Sequence, residues 1–207
     1  TAIVSETAEF VGAEAVIRER ARTPAVAEQI LAAMARTEAR LSEDGGQYRG
    51  VNPTAENIEA GLTTLVEKTM GAIAKTGSQP FAGCLGFAGK PPGAGLYFMD
   101  TPFFSPISIT GMVAAGAQLT LFAVGVFNPS GNPLAPTLKV CGNPTTLTRW
   151  ADSLDVDVSA VILGTAGLDA MADRVEAAVC SVLAGQETRA EAWREGQVIL
   201  SRCRSLL

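Results

Sequence analysis

The sequence predicts an α/β protein with a mainly parallel sheet flanked by helices, preceded by a helical N-terminal part. Short apolar runs bounded by Gly, Pro and Asn are typical of strands buried on both faces, as in parallel sheets. Segments of helical periodicity alternate with these runs after residue 80, which indicates layers of helices on a sheet. The first eighty residues are mostly helical in pattern. The layering is Rossmann-like, but no GxGxxG opens a helix after a strand, so a dinucleotide fingerprint is absent.

Each predicted element has a local signal. The run AIVS at residues 2–5 predicts a strand, and a helical pattern over residues 6–21 follows it. Thr23 is an N-cap with Pro24 at the first helical position, and Gly45 with Gly46 ends that helix. Thr54 caps a third helix over residues 55–75. Later strands are expected at FAGCLGF, GLYFMD, LTLFAVGVF and TLKVCG, and later helices at SITGMVAAGAQ, TTLTRWADSLD and GLDAMADRVEAAVCSVLAG.

The amino-acid composition excludes several classes of function. The chain has 207 residues, of which 47% are hydrophobic, and this is enough for one domain over residues 1–207. A net charge of −5 without a basic block argues against nucleic-acid binding. The chain contains no histidine, so it cannot form a Ser-His-Asp triad, a Cys-His pair or a histidine-ligated zinc site by itself. Acid–base chemistry must then use Asp, Glu, Lys, Tyr or Cys, or a group from a partner.

The same features suggest a cytoplasmic fragment of a longer protein. The four cysteines lack CxxC spacing, which favours reduced thiols in the cytoplasm. No apolar run reaches the ~20 residues that span a bilayer, so no membrane partner is expected. The chain starts at Thr1 without a methionine or a signal-type segment, as expected for a piece of a longer chain.

Polar side chains follow several predicted strands, where α/β proteins place ligands. Asp100 and Thr101 come directly after an apolar run, and Glu6 follows the first strand. Asp100 could hold a metal or serve as a helix cap or Asx-turn, and the residues alone leave both interpretations open. The strands ending at residues 5, 100 and 126 are expected in one sheet, which would bring Glu6, Asp100 and Asn128 to a single cleft.

A pair of charges on the third helix is the other candidate. Glu67 and Lys68 point to different azimuths, so one of them can face inward, where burial would shift its pKa and allow it to act as a base. A solvated helix face is the ordinary alternative for such a pair.

Four strings, in order and spacing, resemble the C-terminal part of the altronate/galactarate dehydratase family. They are GLTTLVEKTMGAIAKTGS, GLYFMDTP, ITGMVAAGAQLTLFAVG and NPLAPTLKVCGN. The resemblance implies a hydro-lyase that converts a sugar acid to a 2-keto-3-deoxy acid with a divalent metal, iron(II) first and manganese or magnesium as alternatives. A related branch carries out sulfolactate sulfo-lyase chemistry. It also implies a small-molecule hydroxy-acid substrate and a separate, histidine-bearing N-terminal domain as partner; a homo-oligomer is compatible with it.

The family-matching polar residues supply the candidate site. The expected catalytic residues are Lys68 and Glu67, one of which handles the proton. Expected substrate-binding residues are Asn52, Asn57, Thr101, Asn128, Lys139 and Asn143. The expected metal-side carboxylates are Glu6, Glu9 and Asp100.

The chain also departs from the family pattern. Ile58 stands where a basic residue is usual, Val126 stands at the arginine of a Thr-Thr-Gly-Arg stretch, and Phe103 follows DTP in place of glycine. Because valine cannot replace a bidentate carboxylate clamp, the substrate is expected to be smaller or less polar than an aldarate. Two alternatives to sugar-acid dehydration therefore stay open. One is a catalytically reduced binding or assembly module, and the other is a sulfo-lyase-type subunit acting on a small hydroxy acid.

Overall fold

The computed structural model describes residues 1–43, 55–59 and 61–200. These residues form two compact units. The first comprises residues 1–116 with residues 199–200, and the second comprises residues 117–198. Each unit contains its own sheet and core.

The first unit is built on a three-stranded parallel sheet. Its strands are β1 (Ala2–Val4), β2 (Phe81–Leu85) and β3 (Leu96–Met99), in the order β1-β3-β2. All four residues of β3 are buried, as expected for an uninterrupted apolar run in the middle of a sheet. The helices are a 3-10 turn (Thr7–Phe10), α1 (Glu14–Arg20), α2 (Pro24–Glu43), α3 (Ala55–Glu59), α4 (Leu65–Lys75) and α5 (Ser105–Ala114).

Aromatic and aliphatic side chains from the helices cover one face of this sheet. The rings of Phe10 and Phe98 meet edge to face, with centroids 5.0 Å apart. Ile17 of α1 and Ile30 of α2 are fully buried in the same cluster. This packing fixes the 3-10 turn, which carries Glu9, against the central strand.

The second unit repeats the parallel arrangement with different helices. Its strands are β4 (Thr120–Val124), β5 (Thr137–Cys141) and β6 (Val156–Asp157), in the order β4-β5-β6. Its helices are α6 (Pro144–Arg149), a 3-10 turn (Ala151–Ser153), α7 (Ser159–Ile162), α8 (Leu168–Leu183) and α9 (Arg189–Ala192). Leu138, Val156 and Val182 form the buried contact between the sheet and α8.

The α/β class, the parallel pairing and the helical N-terminal segment are confirmed, but the expectation of one sheet is wrong. Strand β4 pairs with β5, and β5 with β6, so the second half of the chain forms its own sheet. Asp100 and Asn128 consequently follow strands of different sheets, and the expected single cleft for Glu6, Asp100 and Asn128 loses its basis. Strand β6 was not expected because it has only two residues.

Two predicted helices are each divided by a glycine in the left-handed region. Gly12 has a φ of +93° and separates the 3-10 turn from α1. Gly61 has a φ of +103° and separates α3 from α4, where Thr64 starts a new helix as its N-cap. Gly45, Gly46 and Thr54 lie outside the described residues. None of the described helices combines the length and apolar character that a membrane span requires.

Candidate active site

The carboxyl ends of β1 and β3 bring Glu6 and Thr101 together. The two strands are parallel with Val4 opposite Phe98, so the residues beyond them leave the same edge of the sheet. The backbone N–H of Glu6 donates to the Thr101 hydroxyl at 2.9 Å, and the N–H of Thr7 donates to the Thr101 carbonyl at 3.2 Å. Thr101 thus fixes the direction in which the chain continues after β1.

Buried hydroxyl groups extend this connection. Thr7 Oγ1 donates to Asp100 Oδ1 at 2.7 Å and accepts from the backbone N–H of Thr101 at 3.2 Å. The hydroxyls of Thr101 and Ser108 lie 2.8 Å apart, which ties the strand end to α5. Thr7, Thr101 and Ser108 are all buried, and their hydroxyls are hydrogen-bonded to one another's segments, which connects the end of β1 to the end of β3 and to α5.

Glu6 has an unusual backbone conformation and an unusual carboxyl group. Its φ of 69° and ψ of 74° lie in the left-handed region, which costs a non-glycine residue roughly 1–2 kcal/mol. The Oε1 atom is buried and has no hydrogen-bond partner among the described residues. Burial, helped by the negative charge of Glu9, raises the pKa of the Glu6 carboxyl to about 7, although a hydrogen bond from Ser105 acts in the opposite direction. Glu6 can therefore both accept and release a proton near neutral pH.

Beside Glu6, a lysine and a carboxylate form a sheltered ion pair. Lys68 Nζ lies 3.1 Å from Glu9 Oε1, and the two side chains are only 14% and 18% exposed. The ammonium group also lies 4.2 Å from the centroid of the Phe103 ring, a cation–π arrangement. Helix α4 is held in position because Thr69 Oγ1 donates to the carbonyl of Val11 at 2.8 Å. The positive charge of Lys68 lowers the pKa of Glu6, whereas the negative charge of Glu9 raises it.

Asp100 is engaged on both oxygens. Its Oδ1 accepts from Thr7, and its Oδ2 lies 3.0 Å from the guanidinium of Arg36, which α2 supplies. The structure thus gathers Glu6, Glu9, Lys68, Asp100 and Thr101 around one strand edge. These five residues are called the Glu6 cluster below.

The other expected site residues lie elsewhere. Glu67 accepts hydrogen bonds from the backbone and the hydroxyl of Thr63 at 2.9 and 2.8 Å, and these bonds lower the pKa of its exposed carboxyl. Its side chain serves the first turn of α4, where Thr64 accepts from the N–H of Glu67. Asn57 lies in α3, where its carbonyl accepts from the N–H of Leu62. Asn52 lies outside the described residues.

Three further candidates belong to the second unit. Asn128 accepts from the backbone and the hydroxyl of Ser130, which makes it a loop-forming Asx residue. Lys139 is fully buried on β5 and forms an ion pair with Glu195. Asn143 is the N-cap of α6 and donates to the Gly125 carbonyl at 3.0 Å. All three belong to the second unit, whereas the Glu6 cluster belongs to the first.

Comparison with known proteins decides the family. The family model described as "D-galactarate/Altronate dehydratase, C-terminal" matches residues 1–205. The chain belongs to this family. The resemblance of the four strings is thereby confirmed over almost the whole chain.

Three relatives show the range of the family. The beta subunit of (2R)-sulfolactate sulfo-lyase from Chromohalobacter salexigens is 33% identical over 204 residues, which are 98% of this chain and 52% of the relative. Galactarate dehydratase (L-threo-forming) of Escherichia coli is 27% identical over 72% of this chain and 29% of its own length. Altronate dehydratase of Escherichia coli is 26% identical over 80% of this chain and 33% of its own length. The chain thus spans about half the length of the sulfo-lyase subunit and about a third of each dehydratase.

The divalent metal implied by the dehydratase family does not fit the carboxylates of this chain by themselves. The described residues contain no group of three His, Cys, Asp or Glu side chains arranged to hold a metal ion. Asp100 is bound to Arg36 and Thr7, and Glu9 is bound to Lys68, so a cation would have to displace two positive side chains. The metal therefore remains a prediction, and no step below is assigned to it.

Sequence reasoning did not anticipate Arg36, Ser105 and Ser108. Arg36 lies on α2, and its ion pair with Asp100 joins residues 64 positions apart, for which one sequence carries no signal. Ser105 and Ser108 are three residues apart at the start of α5, a spacing that puts both hydroxyls on one helix face. That spacing, at the start of the helix that follows DTPFF, is the signal that could have revealed them.

Of the departures from the family pattern, Phe103 has a defined role. Its ring covers the Lys68 ammonium, so the residue that replaces the usual glycine adds apolar surface to the Glu6 cluster. Val126 follows Gly125, whose carbonyl is held by Asn143 and by Thr146 Oγ1 at 2.7 Å. Ile58 lies on α3 with its side chain 43% exposed.

Proposed function

We propose that this chain contributes the proton-handling site of a lyase that eliminates a β substituent from a small 2-hydroxy acid, with a sulfonate-bearing acid as the first candidate. The support is the 33% identity to a sulfolactate sulfo-lyase subunit over 98% of the chain. The sugar-acid dehydratases of Escherichia coli match 72% and 80% of it at 27% and 26% identity.

One observation carries the chemistry. Glu6 holds a carboxyl oxygen that is buried without a partner among the described residues, on a strained backbone that Thr101 fixes in place. A base works best when its pKa lies near the working pH, and the pKa of Glu6 is about 7. Burial strengthens its basicity, because the ionised form lacks hydration. The base is therefore assigned to Glu6 rather than to Lys68 or Glu67, the residues named from sequence.

The elimination can be written with this carboxylate as the base. Glu6 takes the proton from the carbon that bears the hydroxyl and the carboxylate. The electron pair of that C–H bond forms a carbon–carbon double bond, and the β substituent leaves with its bonding pair, as sulfite when it is a sulfonate. The enol that results tautomerises to a 2-keto acid. The proton on Glu6 returns to water, which restores the base.

Lys68 supplies positive charge beside this reaction. Its ammonium group is shielded by Phe103 and paired with Glu9, and its positive charge acts on Glu6, whose pKa it lowers. A fixed cation stabilises the negative charge that develops on the substrate carboxylate as the C–H bond breaks. The apolar ring of Phe103 beside Lys68 suits a compact substrate better than an aldarate with a second carboxylate.

Dehydration of a sugar acid is the second candidate. The family model is named for galactarate and altronate dehydratases, and the same proton abstraction would precede loss of a β hydroxyl. In both cases the relatives are longer than this chain, and one is by name a subunit beta. We therefore expect a partner domain or subunit to complete the site, with this chain folded but inactive alone.

The test follows two products in one assay. The complete enzyme carrying this chain, with any partner subunit, is supplied with (2R)-sulfolactate, galactarate or altronate, and sulfite and 2-keto acid are measured. We expect sulfite and keto acid in equal amounts from sulfolactate, and a loss of at least ~10²-fold in kcat for Glu6→Gln. The control Glu19→Gln changes an exposed carboxylate on α1 and should leave kcat intact. Keto acid from a sugar acid without sulfite from sulfolactate would favour the second candidate, and an unaffected Glu6→Gln would refute the assigned base.

A further inference from the structure

The second unit contains a pocket that no step of the proposed reaction uses. Its volume is about 280 Å³, slightly below the range typical of small-molecule sites. It lies between the loop before β5 and the segment that follows α9. The lining residues are Asn132, Pro133, Thr137, Ala190, Glu191, Arg194, Glu195 and Gly196.

Thr137 gives this pocket an unsatisfied polar group. The residue is 1% exposed, and its hydroxyl is buried without a hydrogen-bond partner among the described residues. Buried hydroxyls are nearly always paired, because leaving one unpaired costs free energy that a valine of similar shape would not. Because Thr137 lines the pocket, a ligand that reached its hydroxyl would supply the missing partner.

Arg194 supplies a positive charge in a position that usually belongs to glycine. Helix α9 ends in a Schellman arrangement, in which the N–H of Glu195 bonds to the carbonyl of Ala190 and the N–H of Arg194 to that of Glu191. Arg194 is the left-handed residue of this motif, with a φ of 56°. Glycine adopts that conformation without strain, so an arginine there sacrifices stability and gains only its side chain. Among the described residues, no carboxylate lies within ion-pair distance of the Arg194 guanidinium.

The two carboxylates of the lining are already engaged. Glu191 accepts from the backbone and the hydroxyl of Thr188, both at 2.8 Å, in a complete capping box. Glu195 is paired with the buried Lys139. Their charges are thus compensated or hydrogen-bonded locally, and the guanidinium of Arg194 is the lining charge still available to a ligand.

The pocket wall is held in shape without a ligand. Gly131 lies very close to the backbone of Glu195. A Cβ atom on residue 131 would be 1.9 Å from the Glu195 carbonyl oxygen, so only glycine permits this approach. Gln197 donates its N–H to the Gly131 carbonyl and accepts from the Gly131 N–H on Oε1, both at 3.2 Å. A preformed wall avoids the entropy cost of ordering the site when a ligand binds.

We propose that this pocket binds a small monocarboxylate. Its carboxylate pairs with the Arg194 guanidinium, the Thr137 hydroxyl donates a hydrogen bond to it, and its short apolar part lies against Pro133 and Ala190. This site is independent of the Glu6 cluster and goes beyond the proposed lyase activity, since it requires neither the hydroxyl nor the β substituent of a lyase substrate.

The test uses three probes of one size and three charges. Propanoate, propanamide and n-propylammonium are titrated into the 207-residue chain, and the amide NMR signals of Gly131 and Gly196 are followed. We expect propanoate to bind roughly tenfold to a hundredfold more tightly than propanamide, because a charged hydrogen bond is lost with the neutral probe. Equal affinity for propanamide, preference for n-propylammonium, or no change at these amides would overturn the proposal.

Two variants separate a binding role from a structural one. Arg194→Gly should weaken propanoate at least tenfold while the midpoint of thermal unfolding stays equal or rises, since glycine suits the left-handed position. Thr137→Val should also weaken binding without lowering the midpoint, because it removes an unpaired buried hydroxyl. Arg174→Gln on the exposed face of α8 is the matched loss of a positive charge and should change neither value. Undiminished propanoate binding by Arg194→Gly would show that the guanidinium is not part of the site.

Discussion

The backbone N–H of Glu6 donates to the hydroxyl of Thr101 at 2.9 Å, across two residues that are 95 positions apart in the chain. This bond joins the ends of two parallel strands and holds Glu6 in a left-handed conformation. The orientation of the Glu6 carboxyl is therefore a property of the sheet edge as a whole, not of the loop that follows β1.

Replacing Glu6 should change the pH dependence of stability. The folded protein keeps a proton on Glu6 up to a pKa of about 7, whereas the unfolded chain releases it near 4.5. The folded state binds more protons between these values, so the wild-type free energy of unfolding falls as pH rises through this range and then levels off. For Glu6→Gln we expect this fall to be smaller by up to about 3 kcal/mol between pH 5 and 8.

Urea unfolding at pH 5 and pH 8 measures the effect, with Glu19→Gln as the exposed control. The same pH dependence in Glu6→Gln and wild type would mean that the Glu6 carboxyl titrates normally.

Glu9 and Lys68 should shift the pKa of Glu6 in opposite directions. The negative charge of Glu9 raises it and the positive charge of Lys68 lowers it. Glu9→Gln is therefore expected to lower the pKa of Glu6, and Lys68→Met to raise it further. Carbon-13 NMR titration of the labelled glutamate carboxyls resolves both changes. Shifts of the same sign in the two variants would contradict the arrangement of the pair around Glu6.

Substitutions at the start of α4 should lower the stability of the fold and leave the activity unchanged. Thr64 accepts the N–H of Glu67 at 3.2 Å as the N-cap, so Thr64→Ala should cost about 1 kcal/mol of unfolding free energy. Glu67→Gln should weaken the contacts to Thr63 and lower the thermal midpoint above pH 5, because the low pKa of Glu67 reflects stabilisation of its ionised form. Both variants should keep the kcat of the complete enzyme. A kcat loss for Glu67→Gln larger than that for Glu6→Gln would restore Glu67 as the proton-handling residue.

The positions and burial of individual strands can be predicted from the sequence, whereas the pairing between strands cannot. The run LYFM has no polar residue and predicts a strand covered on both faces, which β3 is. Nothing in LTLFAVGVF says whether its neighbour is an early strand or a later one, because parallel pairing depends on how the connecting helices pack. The expected single sheet failed on that point.

The candidate site, like the fold, can be predicted from the sequence only in part. Glu6 and Asp100 come together because both follow parallel strands of one sheet, a relation that local pattern can suggest. The choice between Glu67 and Lys68 depends on about 100° of helix azimuth, and only the packing of α4 on the Val11 carbonyl decides it. Arg36 and the shift in the pKa of Glu6 depend on burial by distant segments, which a local pattern does not contain.

Val126 offers a test of substrate size. An arginine at this family position can form a bidentate contact to a second carboxylate, and valine leaves that group unpaired. We expect Val126→Arg to raise kcat/KM for a diacid relative to a monoacid by about tenfold to a hundredfold in the complete enzyme. Val126→Leu is the control for side-chain bulk. An unchanged ratio would mean that position 126 does not meet the substrate.

The first strand has a dynamic consequence. Among the strands that the structure describes, β1 pairs with β3 alone and has three residues, so we expect this edge strand to open more easily than the rest of its sheet. Each opening carries Glu6 into water, where its carboxyl loses a proton at an ordinary acidity. Opening therefore becomes cheaper as the pH rises from about 4.5 to about 7, and the protection of the backbone amides in residues 2–7 against hydrogen exchange is coupled to the proton on one side chain.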